Sequence, residues 1–363
     1  MRSLILALLF ISFLPKPAHG QILKIEVTDY GWLDILPPLK LLLDNYLLEE
    51  ERKMNDDQPI KDPQRLMKGT ANSNALAAKG VGSHYTSDMK KFMVGAAVGV
   101  GADLEKDKAI EDEVSGAAAA TGFMLGTRMD LFGTNKILGL EARRLSSYVN
   151  FGRLNHLRKI PGDEDVDILA DLDALNIGIH FRYELIDGDK HGLFRWGGIK
   201  THTGYEYNKN ELVLETEIDR VLELDSGSGV LNGRITGKPK YTIDSEVHSI
   251  PLEISTDVTL LNALTLFGGL GADWNMGGSR GKGRIDGDVS PLACSGAVCV
   301  SGDPFPQLKV VADLDASEPV DPFTLRAFGG VQLDAGSVHL FGQVNKVFGN
   351  KVTGASAGLR ITF

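Results

Sequence analysis

From Lys91 to its last residue the chain keeps a period of two, with apolar side chains at alternate positions and small or polar ones between them. Successive side chains of a β-strand point to opposite faces, so this repeat predicts strands with one apolar and one polar face. Phe92, Val94, Ala96, Val98, Val100 and Ala102 share a face, opposed by Met93, Gly95, Ala97, Gly99, Gly101 and Asp103. Around 117–131, Phe123 and Leu125 oppose Gly122, Met124, Gly126, Arg128 and Asp130. At 172–186, Leu175, Ile177, Ile179, Phe181 and Leu185 oppose Asn176, Gly178, His180, Arg182 and Glu184. The same pattern returns at 250–260, 264–274, 323–334, 338–345 and 353–363. It is weaker in two places. A strand at 136–150 loses its alternation at Arg143-Arg144, and 193–206 alternates only if Gly197-Gly198 forms a bulge.

A soluble secreted β-sandwich also alternates, and it stands as an alternative. The polar face favours a closed barrel. It holds Gly, Ser and oppositely charged neighbours, Arg128 with Asp130 and Arg182 with Glu184, where a sandwich would show Lys, Thr and Glu to water. Turned inward, small residues and charge networks fill a narrow lumen. The inward set then includes Arg128, Asp130, Arg182, Glu184, Glu253, Asp257, Arg326, Asp334 and Arg360. After residue 20 no run approaches the roughly 18 apolar residues of a membrane helix, a test that barrel strands escape. Connections alternate between short ones (132–136, 187–192, 261–262, 334–336) and long ones (104–116, 151–168, 207–240, 275–321). That is the pattern of short periplasmic turns and long outer loops. The expectation is an all-β antiparallel transmembrane barrel of about ten strands over 89–363, with both termini on the periplasmic side. Twelve strands is the runner-up, since 211–219, 220–224 and 307–313 could extend strands above the membrane, and eight is the next count.

Ahead of the barrel the sequence changes character. Met1-Arg2, the apolar run Leu4–Leu14 and Ala18-His19-Gly20 read as a cleaved secretory signal over 1–20. Residues 21–88 read as a periplasmic helix and linker. After Pro37-Pro38, Leu39, Leu42, Leu43, Tyr46 and Leu47 lie on one helical face, and 55–87 is polar and broken. Such a segment could pack against the barrel end, the favoured reading, or serve as a plug or as a docking helix for a partner. The signal carries two bases, Arg2 and Lys16, and no acid, so its removal takes the formal net charge from −10 to −12. A surface that acidic disfavours nucleic acid as a partner. Cys294 and Cys299 are the only cysteines, and export to an oxidising compartment favours a local disulfide over a metal site.

The chain closes on Gly358-Leu359-Arg360-Ile361-Thr362-Phe363, an alternating strand with a terminal Phe. Here it resembles the bacterial outer-membrane β-barrel superfamily. The resemblance implies location in the outer membrane of a Gram-negative-type bacterium, contact with outer-membrane lipid, and recognition of Phe363 by the barrel assembly machinery. Three function classes remain open. The first is a structural or surface-interaction protein, with a surface ligand or periplasmic partner of unknown identity. The second is a narrow porin-like channel. The third is a rim enzyme, a protease or lipid hydrolase, using one of His84, His156, His180, His191, His202, His248 and His339 near acids such as Asp163-Glu164-Asp165. No nucleophile motif and no metal-ligand spacing accompanies those histidines, so a non-enzymatic barrel without cofactor is expected.

Overall fold

The computed structural model describes residues 24–29, 63–81, 84–86, 91–105, 113–161, 167–191, 193–225, 230–294 and 308–363. The first elements are β1 (Lys24–Asp29), α1 (Pro63–Ala77), β2 (Phe92–Glu105) and β3 (Glu113–Arg128). A small hairpin of β4 (Lys136–Ile137) and β5 (Leu140–Glu141) leads into β6 (Leu145–Pro161) and β7 (Asp167–Ile186). Next come β8 (Asp189–His191), β9 (Phe194–Thr216), β10 (Ile218–Asp225), β11 (Val230–Gly237) and β12 (Lys240–Leu260). The chain ends with β13 (Leu264–Cys294), β14 (Leu308–Pro319), β15 (Phe323–Ala335), β16 (Val338–Val347) and β17 (Val352–Thr362).

Ten strands close a ring by antiparallel pairing, in the order β2, β3, β6, β7, β9, β12, β13, β15, β16, β17 and back to β2. The closing seam pairs Met93 with Thr362 and runs to Asp103 opposite Val352. Backbone bonds from Lys91 N–H to the Phe363 carbonyl (2.8 Å) and from Phe363 N–H to the Phe92 carbonyl (2.9 Å) finish it. A closed ring leaves no strand edge unpaired within it, which is what permits strands to cross a bilayer.

Parity places the side chains. Phe123, 73% exposed, Leu125, Ile177, Ile179, Leu252, Ile254, Leu270, Val331, Leu340 and Leu359 all face outward. Aromatics border this apolar band on both sides. Phe92, Phe132, Phe194 and Phe363 lie toward the short-turn end, and Phe151, Tyr205, Trp274 and Phe323 toward the other. The molecule is a transmembrane β-barrel of the outer-membrane type, and an exterior this apolar excludes the soluble sandwich.

The short turns agree with the sequence reading. Leu261 and Asn262 both take positive φ, the two-residue turn that matches strand twist. Gly198, with φ +80°, sits where the pairing of β9 with β7 and β12 slips by one residue, the bulge that the Gly197-Gly198 pair allowed. Two expectations about the ring strands and their connections are corrected. The strand read at 136–150 is a hairpin and a 3₁₀ turn (Ala142–Arg144), with the true strand starting at Leu145; Leu138 and Gly139 take positive φ and break the run. In the segments read as long loops at 104–116, 151–168, 207–240 and 275–321, nearly all of the described residues are strand. β9, β12 and β13 run 23, 21 and 31 residues, whereas a tilted strand crosses a bilayer in about 9–11. They continue past the aromatic border by ten residues or more, about 33 Å at roughly 3.3 Å per residue. β14 lies against this extension of β13, β11 pairs with its tip, β10 pairs with β11, and β1 pairs with β14. By the asymmetry of strand and turn lengths the extended end is the outer one.

The largest correction concerns 21–88. Residues 63–81 and 84–86 lie inside the barrel, and β1 pairs at the outer end with Lys309–Asp313, not at the periplasmic end. The stretch read as a polar linker holds α1. The expected signal segment and the helix read after Pro37-Pro38 fall outside the described residues, as do Asp163-Glu164-Asp165 and Cys299, the second half of the expected disulfide.

Protein extracted from membranes is expected to run faster on a denaturing gel unboiled than boiled, because every ring strand is paired on both sides. Identical mobility in the two samples would contradict a closed ring.

Candidate functional site: the occupied lumen

α1 opens with Pro63 at its first helical position, where the missing N–H costs nothing. Its residues Gly69, Thr70, Asn72, Ser73 and Asn74 are poor helix formers, and no apolar stripe would hold them helical in water. The barrel wall supplies what they lack. On one side, β2 and β3 present Gly99, Gly101 and Gly116, where a Cβ would collide with the backbone of Ala77, Ser73 and Thr70 respectively. On the other side Asn74 donates to the Asn208 carbonyl (3.1 Å) and to the Ser245 carbonyl and hydroxyl (3.0 Å each). Its own Oδ1 accepts from Asn208 (2.5 Å) and Asn210 (2.6 Å). Nearer the outer end, Leu66 and Met67 pack on Ile243, Ala316, Leu212 and Tyr241. Burial there pushes the Tyr241 phenol up to about 12, so it stays neutral. Lys68 pairs with Asp321 (2.7 Å), which also bonds Asn72 (2.9 Å), tying the helix to the wall between β14 and β15.

Below the helix, Lys79 reaches the far wall. Its Nζ lies 2.5 Å from Glu206 and 3.3 Å from Asp273, all three side chains being buried. Asp273 also bonds Arg326 Nε (2.9 Å), whose other guanidinium nitrogens meet Glu253 and the Asn345 amide oxygen (2.9 Å). Glu253 bonds His202 Nδ1 (2.7 Å), and His202 stacks on His180 with ring centroids 5.2 Å apart. Lower still, the extended segment His84–Thr86 is gripped by its carbonyls. Arg182 donates to those of His84 (2.9 Å) and Thr86 (2.7 Å), and Lys200, itself paired with Asp257, donates to that of Tyr85 (3.0 Å). The Tyr85 ring sits against Phe328 (4.5 Å) and Phe267 (5.8 Å). Every charge in this chain of contacts has an opposite charge or a carbonyl beside it, as burial demands.

Of the charges read as inward, Arg182, Glu253, Asp257, Arg326 and Arg360 are buried in the lumen, and the Arg360 guanidinium lies 3.7 Å from the centre of the Phe341 ring. Glu184 is partly exposed, 3.6 Å from Arg182. Asp334 lies at the short-turn mouth, bonded to Thr265 (2.7 Å), Gln332 (2.6 Å) and His339 (2.7 Å). Arg128 and Asp130 pair with each other at that mouth, a third exposed; Asp130 belongs to a 3₁₀ turn rather than a strand. Lys79, Lys200, Glu206 and Asp273 were absent from that set. Parity alone would have put Asp273 there. Of the seven candidate histidines, His84, His180, His202 and His339 are buried, His156 and His191 are exposed, and His248 sits outside the barrel, accepting from or donating to Tyr205 (2.6 Å). Among the described residues no group of acids, histidines and cysteines is arranged to hold a metal ion.

A family model described as Lsa36-like matches residues 44–363 of this chain. The chain belongs to the Lsa36-like family. That match takes in the lumen segment and all ten ring strands. No curated protein matches the Lsa36-like chain by sequence. Among solved structures it is similar to the translocator domain of autotransporter NalP from Neisseria meningitidis, with 10% identity over 76% of this chain and 89% of that one, at a TM-score of 0.31. It is also similar to the transport unit of the autotransporter AIDA-I from Escherichia coli (9% identity, 81% and 95% covered, TM-score 0.32) and to Ail, the attachment invasion locus protein of Yersinia pestis (10%, 75% and 97%, 0.20).

Lys79→Met strands Glu206 beside Asp273 and is expected to destabilise the protein by about 3–5 kcal/mol, the cost of an uncompensated buried charge. The readout is the temperature at which the compact gel form is lost, and adding Glu206→Gln should recover part of the fall. Gly101→Leu should cost about 1–3 kcal/mol through overpacking against α1, while Gly342→Leu, with open space beside it, should leave that temperature unchanged.

Proposed function

We propose that this Lsa36-like protein is a sealed membrane anchor that presents the strand wall above the bilayer for surface interaction, and that it is neither an open pore nor an enzyme. The observation that carries the reading is the salt bridge of Lys79 to Glu206 and Asp273 in mid-lumen, with His84, Tyr85 and Thr86 held below it. A conducting path needs wettable space and weak, exchangeable sites. This lumen is filled by the chain's own backbone and paired charges.

The wall suits an interaction role. β6, β7, β9, β12, β13 and β14 offer a broad outer sheet bearing both signs of charge, with Arg280 paired to Asp315 (3.0 Å), Arg153 to Asp173 (2.6 Å) and Lys240 to Glu215 (2.8 Å). Such a surface favours a protein or mixed polar partner over nucleic acid. Outer-membrane lipid would contact the apolar band, and the assembly machinery would read the last strand ending at Phe363.

Purified wild-type protein in planar bilayers should give no steady conductance at neutral pH, whereas a variant lacking residues 63–86, if it retains the compact gel form, should conduct. Stable open-channel steps from the intact protein would sink the sealed-anchor reading.

A further inference from the structure

The path of the chain through the lumen has a direction. Leu66 and Met67 touch Ile243 and Ala316 of the outer extension. Ser73 and Asn74 meet Gly116 and Ser245 further down, at 3.1 Å and 3.0 Å. Lys79 meets Glu206 and Asp273 in mid-barrel. His84–Thr86 meet Arg182, Lys200 and Gln332 toward the short-turn end, and there Phe92 begins the first ring strand. The segment therefore descends from the outer end to the periplasmic end. Ten strands alone return the chain to the side where it started. The lumen passage makes eleven crossings, an odd number, so the chain ahead of Pro63 and the chain end at Phe363 lie on opposite sides of the membrane.

The pairing of β1 agrees independently. Lys24–Asp29 bond to Lys309–Asp313 of β14, which in turn bond to Arg284–Asp288 of β13, well beyond the aromatic border at Trp274. Asp29 and Pro63, which bracket the intervening stretch, are thus on the same, outer side.

We propose that this barrel displays its own N-terminal part: the chain ahead of Pro63 is carried through the lumen and held at the outer surface, and the passage is sealed behind it by the Lys79 and Arg182 contacts. The proposal rests on the occupied lumen described above but not on the absence of conductance. It makes β1 part of the surface offered to partners.

The test uses the unmodified protein in intact cells and a membrane-impermeant, amine-reactive biotin, with labelled lysines identified by mass spectrometry. Lys53 and Lys61 precede α1, Lys209 and Lys282 mark the outer extension, and Lys136 and Lys190 mark the short-turn end. The expected result is labelling of Lys53, Lys61, Lys209 and Lys282 in intact cells, with Lys136 and Lys190 rising about tenfold only after the outer membrane is permeabilised. Should Lys53 and Lys61 behave like Lys136 and Lys190 while Lys209 and Lys282 label freely, threading is overturned. Labelling of Lys136 and Lys190 alone in intact cells would reverse the orientation and overturn it as well. If Lys53 and Lys61 react in neither state, a short epitope inserted between Asp57 and Gln58 replaces them, checked for the compact gel form. Antibody binding to intact cells then supports the proposal, and binding only after permeabilisation overturns it. Conductance and labelling fail separately: an open pore with Lys53 exposed outside removes the seal and keeps the threading, and a silent barrel with Lys53 protected does the reverse.

Discussion

Five buried charges, Lys79, Glu206, Asp273, Arg326 and Glu253, have to find one another, and most of the architecture serves that requirement. An ion moved from water into a protein interior is costly unless an opposite charge and further hydrogen bonds meet it there. Here the partners come from four ring strands, β9, β12, β13 and β15, and from the chain inside the ring. A slip of one residue in any of those strands would turn its charge to the lipid face, where the cost is greater still. The network therefore fixes strand register and plug position together, and closing the ring without the plug would leave Glu206 and Asp273 facing each other.

The ring itself could be read from the sequence because lipid is a uniform solvent for one face of every strand. Phe92 to Val100, Ile177 to Leu185 and Leu252 to Ile254 alternate cleanly because an apolar medium faces every outward position. The same parity placed Arg182, Glu253, Asp257, Arg326 and Arg360 inside. Parity failed where its physical cause is absent. Above the bilayer the outward face of the extension is polar, while its inward face holds apolar residues such as Ile243 and Ala316 against α1. Arg153 and Asp173 point outward where Val149 and Ile177 do so within the membrane, and the contrast that marks a membrane strand disappears. In β9 the bulge at Gly198 shifts the phase just before Lys200, His202 and Glu206, which hid three lumen residues from a simple count.

α1 was illegible for a different reason. An amphipathic helix announces itself through an apolar stripe because one side faces a hydrophobic core. Over Gly69–Asn74 the surroundings of α1 are glycine backbone on one side and amides and hydroxyls on the other, so the matching helix surface there is small and polar; Leu66, Met67 and Leu76 meet apolar wall residues toward its two ends without forming a continuous stripe. Its stretch has the composition of a linker, and tertiary contact overrides its weak propensity. Nothing in Lys79 marks it out either, until Glu206 and Asp273 are known to lie opposite.

The division of the lumen into a small-residue side and a charged side explains why both are needed. A helix of Gly, Ala, Ser and Asn lying on Gly99, Gly101 and Gly116 packs closely, but it could advance or rotate there with little change in packing. Advancing it by one residue moves each group about 1.5 Å along the axis. The turn of about 100° that goes with one residue of helical advance carries Asn74 away from Asn208 and Ser245 and draws Lys79 off Glu206. The glycines supply proximity, and the charges and amides supply position. A lumen packed only with apolar side chains could be equally stable and would hold the segment without setting its register. The paired charges hold it at one depth, with Pro63 at the outer end and Thr86 near the periplasmic mouth.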